Sequence, residues 1–279
     1  MKFKLYREFG ALNSKPVFDA LEIGLKNQNH EIVDRNEDVS VIWSVLWQGR
    51  MLGNQKIYQQ NLSANKKTMI VEVGNLKRNI TWRISLNNVN RNGYFGNQSS
   101  LDTNRENILK VFLMPKQKNR RDEILITCQH EKSLQWQGQP SMSDWVNSTI
   151  LQIRQYSDRK IVVRPHPRSN LIKPITGATI LQPKKIDGTY DDYDIDYRYH
   201  CVINHNSGPA VQAAVQGVPI ICDSSSLASP MSNTIQNIEQ LTFPDRKQWF
   251  LELLHTEWTL DEITKGIPIQ RLFVDYATQ

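Results

Sequence analysis

The chain has 279 residues, a length typical of two domains of about 150 residues each or of one large domain. Hydrophobic residues make up 39% of it and charged residues 22%, and this composition excludes a disordered protein. No apolar run approaches the ~18 residues of a membrane-spanning helix, and the first residues lack the apolar core of a signal peptide. We therefore expect a protein without a membrane-spanning segment. We expect it in the cytoplasm, or in the host cytoplasm if it is viral.

The charge differs between the two halves of the chain. Residues 1–121 carry 20 Lys and Arg against 10 Asp and Glu, a net charge of +10, whereas residues 122–279 carry 14 against 18, a net charge of −4. This bias predicts that the first half faces a polyanion. The alternative is a solvated surface whose bias is accidental.

The three cysteines, Cys128, Cys201 and Cys222, each lie within or at the end of an apolar run. Such runs predict buried, reduced thiols in strands. The chain contains no CxxC motif, so neither a zinc site nor a redox pair is predicted. Reduced thiols fit a cytoplasmic protein.

Short apolar runs alternate with amphipathic stretches along the chain. In chain order, the predicted elements are a helix that begins at Ser14-Lys15-Pro16, strands over 39–46 and 68–74, a polar loop over 87–100, a basic linker over 114–121, a strand over 123–128, a helix over about 142–156, strands over 160–165 and from 200, a helix over 209–216, a strand over 218–222, and a helix over about 245–264.

This alternation predicts βαβ units with parallel sheets. Two such cycles joined by the basic linker predict an α/β protein of two Rossmann-like domains that face a central cleft. We expect a basic first domain over residues 1–118, a second domain over 119–260, and a C-terminal segment over 261–279 that packs back on the first domain.

Three basic side chains follow the strand IVV within the run IVVRPHPR, namely Arg164, His166 and Arg168. In open α/β sheets, ligands bind at the carboxyl ends of the strands. Two guanidinium groups and an imidazole at that position suit a phosphate or pyrophosphate. The alternative is a structural histidine that caps a turn beside solvated arginines.

A second strand ends at Asn204-His205-Asn206-Ser207-Gly208, and a helix begins near Pro209. The first N–H groups of such a helix bind phosphate, and Asn206, Ser207 and Gly208 would line that site. The alternative is an ordinary capped helix. The run Asp223-Ser224-Ser225-Ser226 after the next strand offers hydroxyls to a ribose or phosphate, Ser224 first among them, or only forms a turn.

The acidic stretch from Asp191 to Asp196 contains DxD spacing, which can hold a divalent cation on nucleotide phosphates. The alternative, which we favour, is an acidic first turn of a helix before Cys201. The chain contains no GxxxxGK[ST], GxGxxG or HExxH motif. No metal site is therefore predicted.

The RPHP turn, the run NHNSGPAVQAAVQGVPIIC and the following DSSS together resemble the donor half of GT-B glycosyltransferases, and most closely the capsule-type and sialyltransferase-like enzymes with an HP motif. The resemblance covers about residues 120–225. It implies a transferase that uses a nucleotide sugar, a UDP-sugar first of all. We expect no metal to be required, because fixed cations and helix dipoles would take that role. It also implies that His166 and Ser207 bind the donor phosphate, and that Gln129 lies in the first loop of the donor domain. We predict His166 as a catalytic residue too, because it would offset charge on the leaving nucleotide.

Glu72-Val73-Gly74 resembles the (D/E)(D/E)G motif that supplies the general base in the sialyltransferase-like members, although Val73 replaces the second acid. A carboxylate at the end of a strand can deprotonate an acceptor hydroxyl. We therefore predict Glu72 as the base. A strand-end glutamate in a salt bridge is the alternative.

Basic residues surround Glu72 in the sequence and alternate with Trp82, Tyr94 and Phe95. The basic residues are Lys66, Lys67, Lys77, Arg78, Arg83 and Arg91. Basic groups with interspersed aromatic rings suit nucleic acid, through phosphate contacts and base stacking. The charge and the fold also resemble phage DNA glucosyltransferases, without a shared motif. These observations predict hydroxymethylated pyrimidines of DNA as the acceptor.

Three alternatives remain open at this point. One is a glycosyltransferase for a capsule or lipopolysaccharide glycan, whose anionic acceptor would also explain the basic half. Another is a non-catalytic nucleic-acid-binding protein with a vestigial nucleotide cleft. The last is a sugar-nucleotide epimerase of related fold.

Overall fold

The structure is a computed structural model that describes residues 1–97, 101–189 and 191–273. The chain forms two compact units. The first contains Met1–Val111, Lys132–Leu134 and the chain from Leu251 on, and the second contains Phe112–Glu131 and Gln135–Phe250. The chain therefore enters the first unit three times.

The strands of the described residues are β1 (Lys2–Leu5), β2 (Glu31–Ile32), β3 (Val39–Trp43), β4 (Lys67–Val73), β5 (Trp82–Leu86), β6 (Ile124–Thr127), β7 (Ile161–Arg164), β8 (Thr179–Ile180), β9 (Cys201–Asn204), β10 (Ile220–Ile221) and β11 (Glu257–Trp258). The α-helices are α1 (Lys15–Asn27), α2 (Leu52–Ser63), α3 (Arg105–Leu109), α4 (Met142–Ile153), α5 (Gly208–Val215), α6 (Lys247–Leu254), α7 (Leu260–Thr264) and α8 (Ile267–Phe273).

The boundaries of the units differ from the predicted ones. Residues 112–118, predicted in the first domain, belong to the second unit. The N–H groups of Met114 and Gln117 donate hydrogen bonds to the carbonyls of Val215 and Gly217, and these bonds hold the segment against α5. The return to the first unit begins at Leu251, ahead of the predicted residue 261.

Among the described residues, the first unit has a six-stranded sheet in the order β11-β5-β4-β3-β1-β2. Strands β1 to β4 are parallel, whereas β5 is antiparallel to β4 and β11 is antiparallel to β5. Parallel neighbours need a crossover of about a dozen residues or more. The chain between Val73 and Trp82 is shorter than that, so it can only reverse direction.

The predicted first helix is confirmed as α1, with Ser14 at the N-cap position and Pro16 in its first turn. Its apolar face packs into the core of the first unit. A Cβ at Gly24 would lie 2.1 Å from the carbonyl oxygen of Ile263, so the close approach of α1 to α7 requires glycine there.

The predicted single helix over 245–264 is wrong, because β11 interrupts it. Glu257 and Trp258 pair with Arg83 and Trp82 of β5 instead of continuing α6. A capping box between Thr259 and Glu262 then starts α7.

The second unit has a five-stranded parallel sheet among its described residues, in the order β10-β9-β6-β7-β8. The predicted strands that correspond to β6, β7, β9 and β10 are confirmed, and so are the helices α4 and α5. Because all these strands are parallel, their carboxyl ends lie along one edge of the sheet. We call this edge, with the loops that follow it, the carboxyl edge of the second unit.

The cysteine thiols are reduced, and Cys128 and Cys201 are buried, as predicted, whereas Cys222 is half-buried. Burial raises the pKa of the Cys128 and Cys201 thiols to about 12. None of the helices that the structure describes has the length and apolarity needed to cross a membrane.

Candidate functional site

Strand register brings three predicted residues of the second unit together. Thr127 at the end of β6 pairs with Arg164 of β7 on one side and with Asn204 of β9 on the other. Gln129, His166 and Asn206 each lie two residues beyond these aligned positions. The N–H of Asn206 donates a hydrogen bond of 3.2 Å to Oε1 of Gln129, which joins the loop after β9 to the loop after β6.

Asn204 organises the turn from β9 into α5. Its Nδ2 donates to the carbonyl oxygen of Thr127 and to Oγ of Ser207, at 3.0 and 2.9 Å, and its Oδ1 accepts from the Ser207 N–H at 2.7 Å. Ser207 stands at the N-cap of α5, but its side chain makes no capping hydrogen bond. The first turn of α5, which begins at Gly208, therefore offers its N–H groups to a ligand without competition from that hydroxyl.

Two buried amide groups at this edge have a hydrogen-bonding atom left over. Gln129 is 4% exposed and Asn206 is 7% exposed. Within the described residues, Nε2 of Gln129 and Oδ1 of Asn206 have no hydrogen-bond partner. Buried polar atoms are paired in more than about nine cases in ten, so this unpaired donor and acceptor on neighbouring loops are available to a bound molecule.

The hydrogen-bond network assigns the orientation of both amides. Oε1 of Gln129 must face the Asn206 N–H, which leaves Nε2 as the unpaired atom. Nδ2 of Asn206 donates 2.9 Å to Oγ of Ser225, whose own proton goes to Oδ1 of Asp223 at 2.6 Å. The edge therefore presents a hydrogen-bond donor from Gln129 and an acceptor from Asn206.

His166 is half-buried, and its Nδ1 accepts a hydrogen bond of 3.1 Å from the Arg168 N–H. The proton of the neutral imidazole is consequently on Nε2. The ring meets the buried ring of His130 edge to face, with the centroids 5.1 Å apart. Sequence reasoning missed His130, although its position directly after Gln129 is a signal that could have found it.

The two arginines of the RPHPR turn hold the acidic stretch. Arg164 is buried and donates to the backbone carbonyl of Asp194, with the Asp194 carboxylate 3.4 Å away. Arg168 is half-exposed and lies 3.2 Å from the carboxylate of Asp191. Arg164 thus has an anchoring position in this structure, while Arg168 remains at the surface.

The acidic stretch is not the first turn of a helix, which corrects the favoured interpretation. The described residues between β8 and β9 contain no helix, and three carboxylates of the stretch pair with arginines elsewhere in the chain. Nor do the residues that the structure describes contain a group of three or more His, Cys, Asp or Glu side chains placed to hold a metal ion.

In the DSSS run, Ser225 rather than Ser224 contacts the other loops. Ser224 is exposed, whereas Ser225 joins Asn206 to Asp223. Burial would raise the pKa of Asp223, but hydrogen bonds from Ser225 and the nearby charge of His205 hold it below its usual range. Burial in turn lowers the pKa of His205.

In the first unit, the predicted base Glu72 lies near the carboxyl end of β4 and is half-buried. Oγ of Ser44 donates 2.7 Å to one carboxylate oxygen, and the N–H of Val73 donates 2.9 Å to the other. No ion pair among the described residues includes Glu72, so the salt-bridge alternative is not what the structure contains.

Ser44 directly follows β3 and has a φ of +65°, a conformation that costs a non-glycine residue of the order of 1 kcal/mol or more. Its N–H donates to the Val71 carbonyl at 2.7 Å, and its Oγ accepts from the Leu46 N–H at 3.1 Å. These bonds aim the hydroxyl proton at Glu72. The sequence around Ser44 carries no motif, so its role could not be predicted.

The basic residues around Glu72 do not form one cluster. Lys67 begins β4 at its amino end and Lys66 precedes it, so they lie about 17 and about 20 Å from Glu72 at roughly 3.3 Å per residue. Arg91 follows β5, which runs the other way, so it lies near that same end. Lys77 and Arg78 follow the carboxyl end of β4.

Arg83 and two of the predicted stacking rings are buried. Arg83 is 8% exposed, and both Trp82 and Phe95 are 7% exposed. Trp82 belongs to the core of the first unit, and Tyr94 packs against the same core. Buried rings provide no platform for an unstacked base, so these residues do not form the predicted nucleic-acid surface.

The charge bias also disappears when it is counted over the folded units. The first unit carries 19 Lys and Arg against 15 Asp and Glu, and the second carries 15 against 13. The net charges are therefore +4 and +2. The acidic C-terminal region returns to the first unit and offsets the basic start of the chain.

No protein-family model and no curated protein sequence matches the chain. Solved structures do. The beta Kdo 2,4 transferase of Thermosulfurimonas dismutans KpsC is 9% identical, with a TM-score of 0.53 over 96% of this chain and 98% of that one. The chain has a GT-B fold. The predicted fold class and the structural resemblance to GT-B glycosyltransferases are thereby confirmed.

Two further solved structures are less similar to this GT-B chain. The beta Kdo 2,7 transferase of the same KpsC is 11% identical, with a TM-score of 0.48 over 96% of this chain and 99% of that one. AviGT4, a glycosyltransferase involved in avilamycin A biosynthesis, is 10% identical, with a TM-score of 0.37 over 97% of both chains. The fold assignment rests on the first structure.

Proposed function

We propose that this protein is a glycosyltransferase that moves a sugar from a nucleotide-sugar donor to an acceptor hydroxyl. The observation that carries the proposal is the pair of unpaired, buried amide atoms on Gln129 and Asn206. They lie at the carboxyl edge of the second unit beside the first turn of α5. In open α/β sheets, this edge is where ligands bind.

The groups at this edge suit the phosphates of the donor. Nε2 of Gln129, Nε2 of His166 and the first N–H groups of α5 are all hydrogen-bond donors. Donors fixed in advance stabilise the negative charge that develops on a departing nucleotide. Arg168, which pairs with Asp191 at the surface, adds a positive charge in the same turn, so we propose that these groups act without a metal ion. A UDP-sugar remains the first donor to test.

Oδ1 of Asn206 is a hydrogen-bond acceptor among these donors. A phosphate oxygen would not bind to it, whereas a hydroxyl group would. We therefore assign Asn206 to a hydroxyl of the donor, on its ribose or on the transferred sugar. Ser225 and Asp223 hold the Asn206 amide in that orientation.

Glu72 is the proposed general base. Its carboxylate is half-buried and held by Ser44 and Val73. It would take the proton of the acceptor hydroxyl as the oxygen bonds to the anomeric carbon and the nucleotide leaves. General-base catalysis of this kind contributes roughly 10²- to 10⁴-fold.

For the acceptor, we retain two proposals. Hydroxymethylated pyrimidine in DNA was predicted from charge and aromatic residues, but the basic residues are dispersed and the rings are buried. A capsule or lipopolysaccharide glycan has no additional observation in its favour. The two proposals are therefore equally supported and are compared in one experiment. Cytoplasmic localisation also stays a prediction.

The test is a transfer assay. The protein is incubated with UDP-, GDP- and CMP-sugars and with either duplex DNA containing 5-hydroxymethylcytosine or envelope glycan fragments, and products are weighed by mass spectrometry. Unmodified DNA is the acceptor control. The variant His166→Ala should lose transfer, whereas Asn170→Ala, an exposed residue in the same turn, should retain it.

A sugar-sized mass gain on one acceptor supports the transferase and identifies that acceptor. DNA binding that weakens steeply with salt, without any transfer, would favour a non-catalytic nucleic-acid-binding protein instead. Conversion of the nucleotide sugar to an epimer, without an acceptor, would favour the epimerase. Absence of both nucleotide binding and transfer would contradict the proposal.

A further inference from the structure

Arg83 occupies an unusual position in the first unit. It lies on β5, where the register places it opposite Glu72 of β4 on one side and opposite Glu257 of β11 on the other. Opposite residues on adjacent antiparallel strands have Cβ atoms about 5 Å apart. Arg83 therefore has two carboxylates as neighbours on the same face of the sheet.

Both carboxylates are turned to other partners. Glu72 accepts hydrogen bonds from Oγ of Ser44 and from the Val73 N–H. Glu257 accepts from the N–H groups of Asn75 and Leu76 and from Oγ1 of Thr81, at 2.5, 3.1 and 2.7 Å. These bonds shape the loop between β4 and β5, and neither carboxylate reaches the guanidinium.

The guanidinium is left without a close anion. Arg83 is 8% exposed, its Nε has no hydrogen-bond partner in the described part of the chain, and no ion pair recorded there includes it. Burial lowers the pKa of Arg83, and the more distant charges of Glu72 and Glu257 oppose that shift. A buried charge without a hydrogen-bonded partner is costly, which makes the arrangement informative.

A second buried arginine of the same unit shows the usual arrangement. Arg105 is 3% exposed, and its guanidinium pairs with the carboxylate of Glu262. Its Nε donates 2.8 Å to the Leu254 carbonyl, and another nitrogen donates to the Glu257 carbonyl. Packing in this unit can thus satisfy a buried guanidinium completely, and it does not do so at Arg83.

We propose that Arg83 binds an anionic group, a carboxylate or a phosphate, of the molecule that presents its hydroxyl to Glu72. The planar guanidinium fork matches the two oxygens of either group. Lys77 and Arg78 follow β4 into the adjacent loop and add positive charge. The identification of that molecule as the acceptor rests on the proposed function, whereas anion binding at Arg83 does not.

The experiment observes the arginine Nε–H signals of the ¹⁵N-labelled protein by NMR. The Arg83 signal is assigned by its loss in Arg83→Lys, which keeps the positive charge, and by sequential assignment in the wild type if that variant does not fold. Inorganic phosphate and acetate are titrated separately, with chloride at matched ionic strength. The titration is repeated in His166→Ala, which excludes an effect transmitted from the second unit.

We expect the Arg83 signal to move and to saturate with phosphate, with acetate, or with both, and the stronger of the two identifies the preferred group. Chloride should not move it. The Arg105 signal is an internal control and should stay in place, because its Nε already donates to Leu254. An Arg83 signal that stays in place with both anions, or that moves equally with chloride, would overturn the inference.

An activity measurement separates this inference from the proposed function. Arg83→Lys should raise KM for an anionic acceptor about 10-fold or more and leave KM for the donor unchanged, because a bidentate contact is lost. An Arg83 signal that responds to anions in a protein without transferase activity would contradict the proposed function alone. Transfer with unchanged acceptor KM and an unresponsive signal would contradict only the role of Arg83.

Discussion

The carboxyl edges of the two sheets carry different chemistry on similar frames. In the second unit, Gln129, His166 and Asn206 present neutral hydrogen-bonding groups beside a helix N-terminus. In the first unit, the corresponding edge carries two charged side chains, Glu72 and Arg83, which lie opposite each other on β4 and β5 without forming an ion pair. Neutral, fixed donors suit a phosphate that arrives charged, whereas a carboxylate suits a step that removes a proton.

Each edge also depends on one small polar side chain directly at the end of a strand. Asn204 bonds to Thr127 and Ser207 in the second unit, and Ser44 bonds to Glu72 and Leu46 in the first. Both are buried. Where a strand ends, side-chain hydrogen bonds to nearby backbone groups take the place of the hydrogen bonds between strands. They therefore determine the path of the following loop.

The largest expected effect is a loss of catalysis without a loss of nucleotide binding, which would assign the two carboxyl edges different functions. Glu72→Gln should lower kcat by about 100-fold or more, because the amide cannot accept the acceptor's proton. Nucleotide affinity, which we propose to depend on the second unit, should stay the same. Steady-state kinetics and calorimetric titration with the nucleotide measure the two quantities.

The control for this variant is Glu31→Gln, an exposed glutamate of β2. It should keep wild-type kcat. Equal kcat for Glu72→Gln and the wild type would remove Glu72 from the mechanism, and a parallel loss of nucleotide affinity would assign it to donor binding instead.

The next effect concerns the frame of the second unit. Asn204→Ala should lower the free energy of unfolding by about 2–3 kcal/mol, because it removes the donor to both Thr127 oxygen atoms and leaves the Ser207 N–H without its acceptor. That corresponds to a fall in Tm of roughly 5–10 °C for a protein of this size. Asn170→Ala, at an exposed position, should leave Tm unchanged in the same thermal melts.

A smaller effect tests the unpaired donor on Gln129. Gln129→Glu keeps the oxygen that accepts from the Asn206 N–H and replaces the unpaired amide nitrogen by a second oxygen. Nucleotide affinity should fall about 10-fold, since a phosphate then meets an oxygen instead of a donor. The control Gln139→Glu adds the same charge at an exposed position of this unit. Calorimetry should give a higher Kd for Gln129→Glu than for Gln139→Glu, and equal Kd values would contradict the role of Gln129.

The smallest effect concerns pH and the first unit. Burial lowers the pKa of His255 below its ordinary 6.5. Its Nε2 accepts from the Asp102 N–H at 3.0 Å and its Nδ1 faces the Leu251 carbonyl at 2.8 Å, which fits only the neutral ring. The unfolded chain therefore binds a proton that the folded chain refuses, and stability falls as the pH drops below about 6.5.

Thermal melts between about pH 8 and about pH 5 measure this dependence. Tm of the wild type should fall by a few degrees on acidification. Burial also lowers the pKa of His30, His200 and His205, so His255→Gln should reduce the slope without abolishing it. A steeper slope in the variant would contradict the assignment.

Much of the second unit follows from local patterns. The strands β6, β7 and β9 are apolar runs that end in polar residues, and α5 begins with glycine and proline. Such signals depend only on neighbouring residues, so the RPHP turn and the NHNSG turn could be placed at strand ends. The additional roles of His130 and Ser225 depend on which loops meet, and that follows from strand order.

The first unit was predicted less completely. Strand β11 has only the residues Glu257 and Trp258, which are too few to show the alternating hydrophobic pattern of a strand. It also pairs with a strand 171 or more residues earlier in the chain. The sequence around Ser44 contains no motif that would predict its contact with Glu72. The charge at Arg83 indicated an exposed phosphate contact, because sequence alone does not distinguish a buried arginine from a solvated one.

The sequence by itself determined the α/β class, the helical and extended segments with clear periodicity, and the candidate phosphate-binding turns. These depend on backbone preferences and hydrophobic patterns, which act over a few residues. The tertiary structure decided the distribution of charge, +4 and +2 instead of +10 and −4, since the C-terminal region returns to the first unit. It also decided which basic residues lie near Glu72. Distance between side chains follows strand direction and order, and neither is encoded locally.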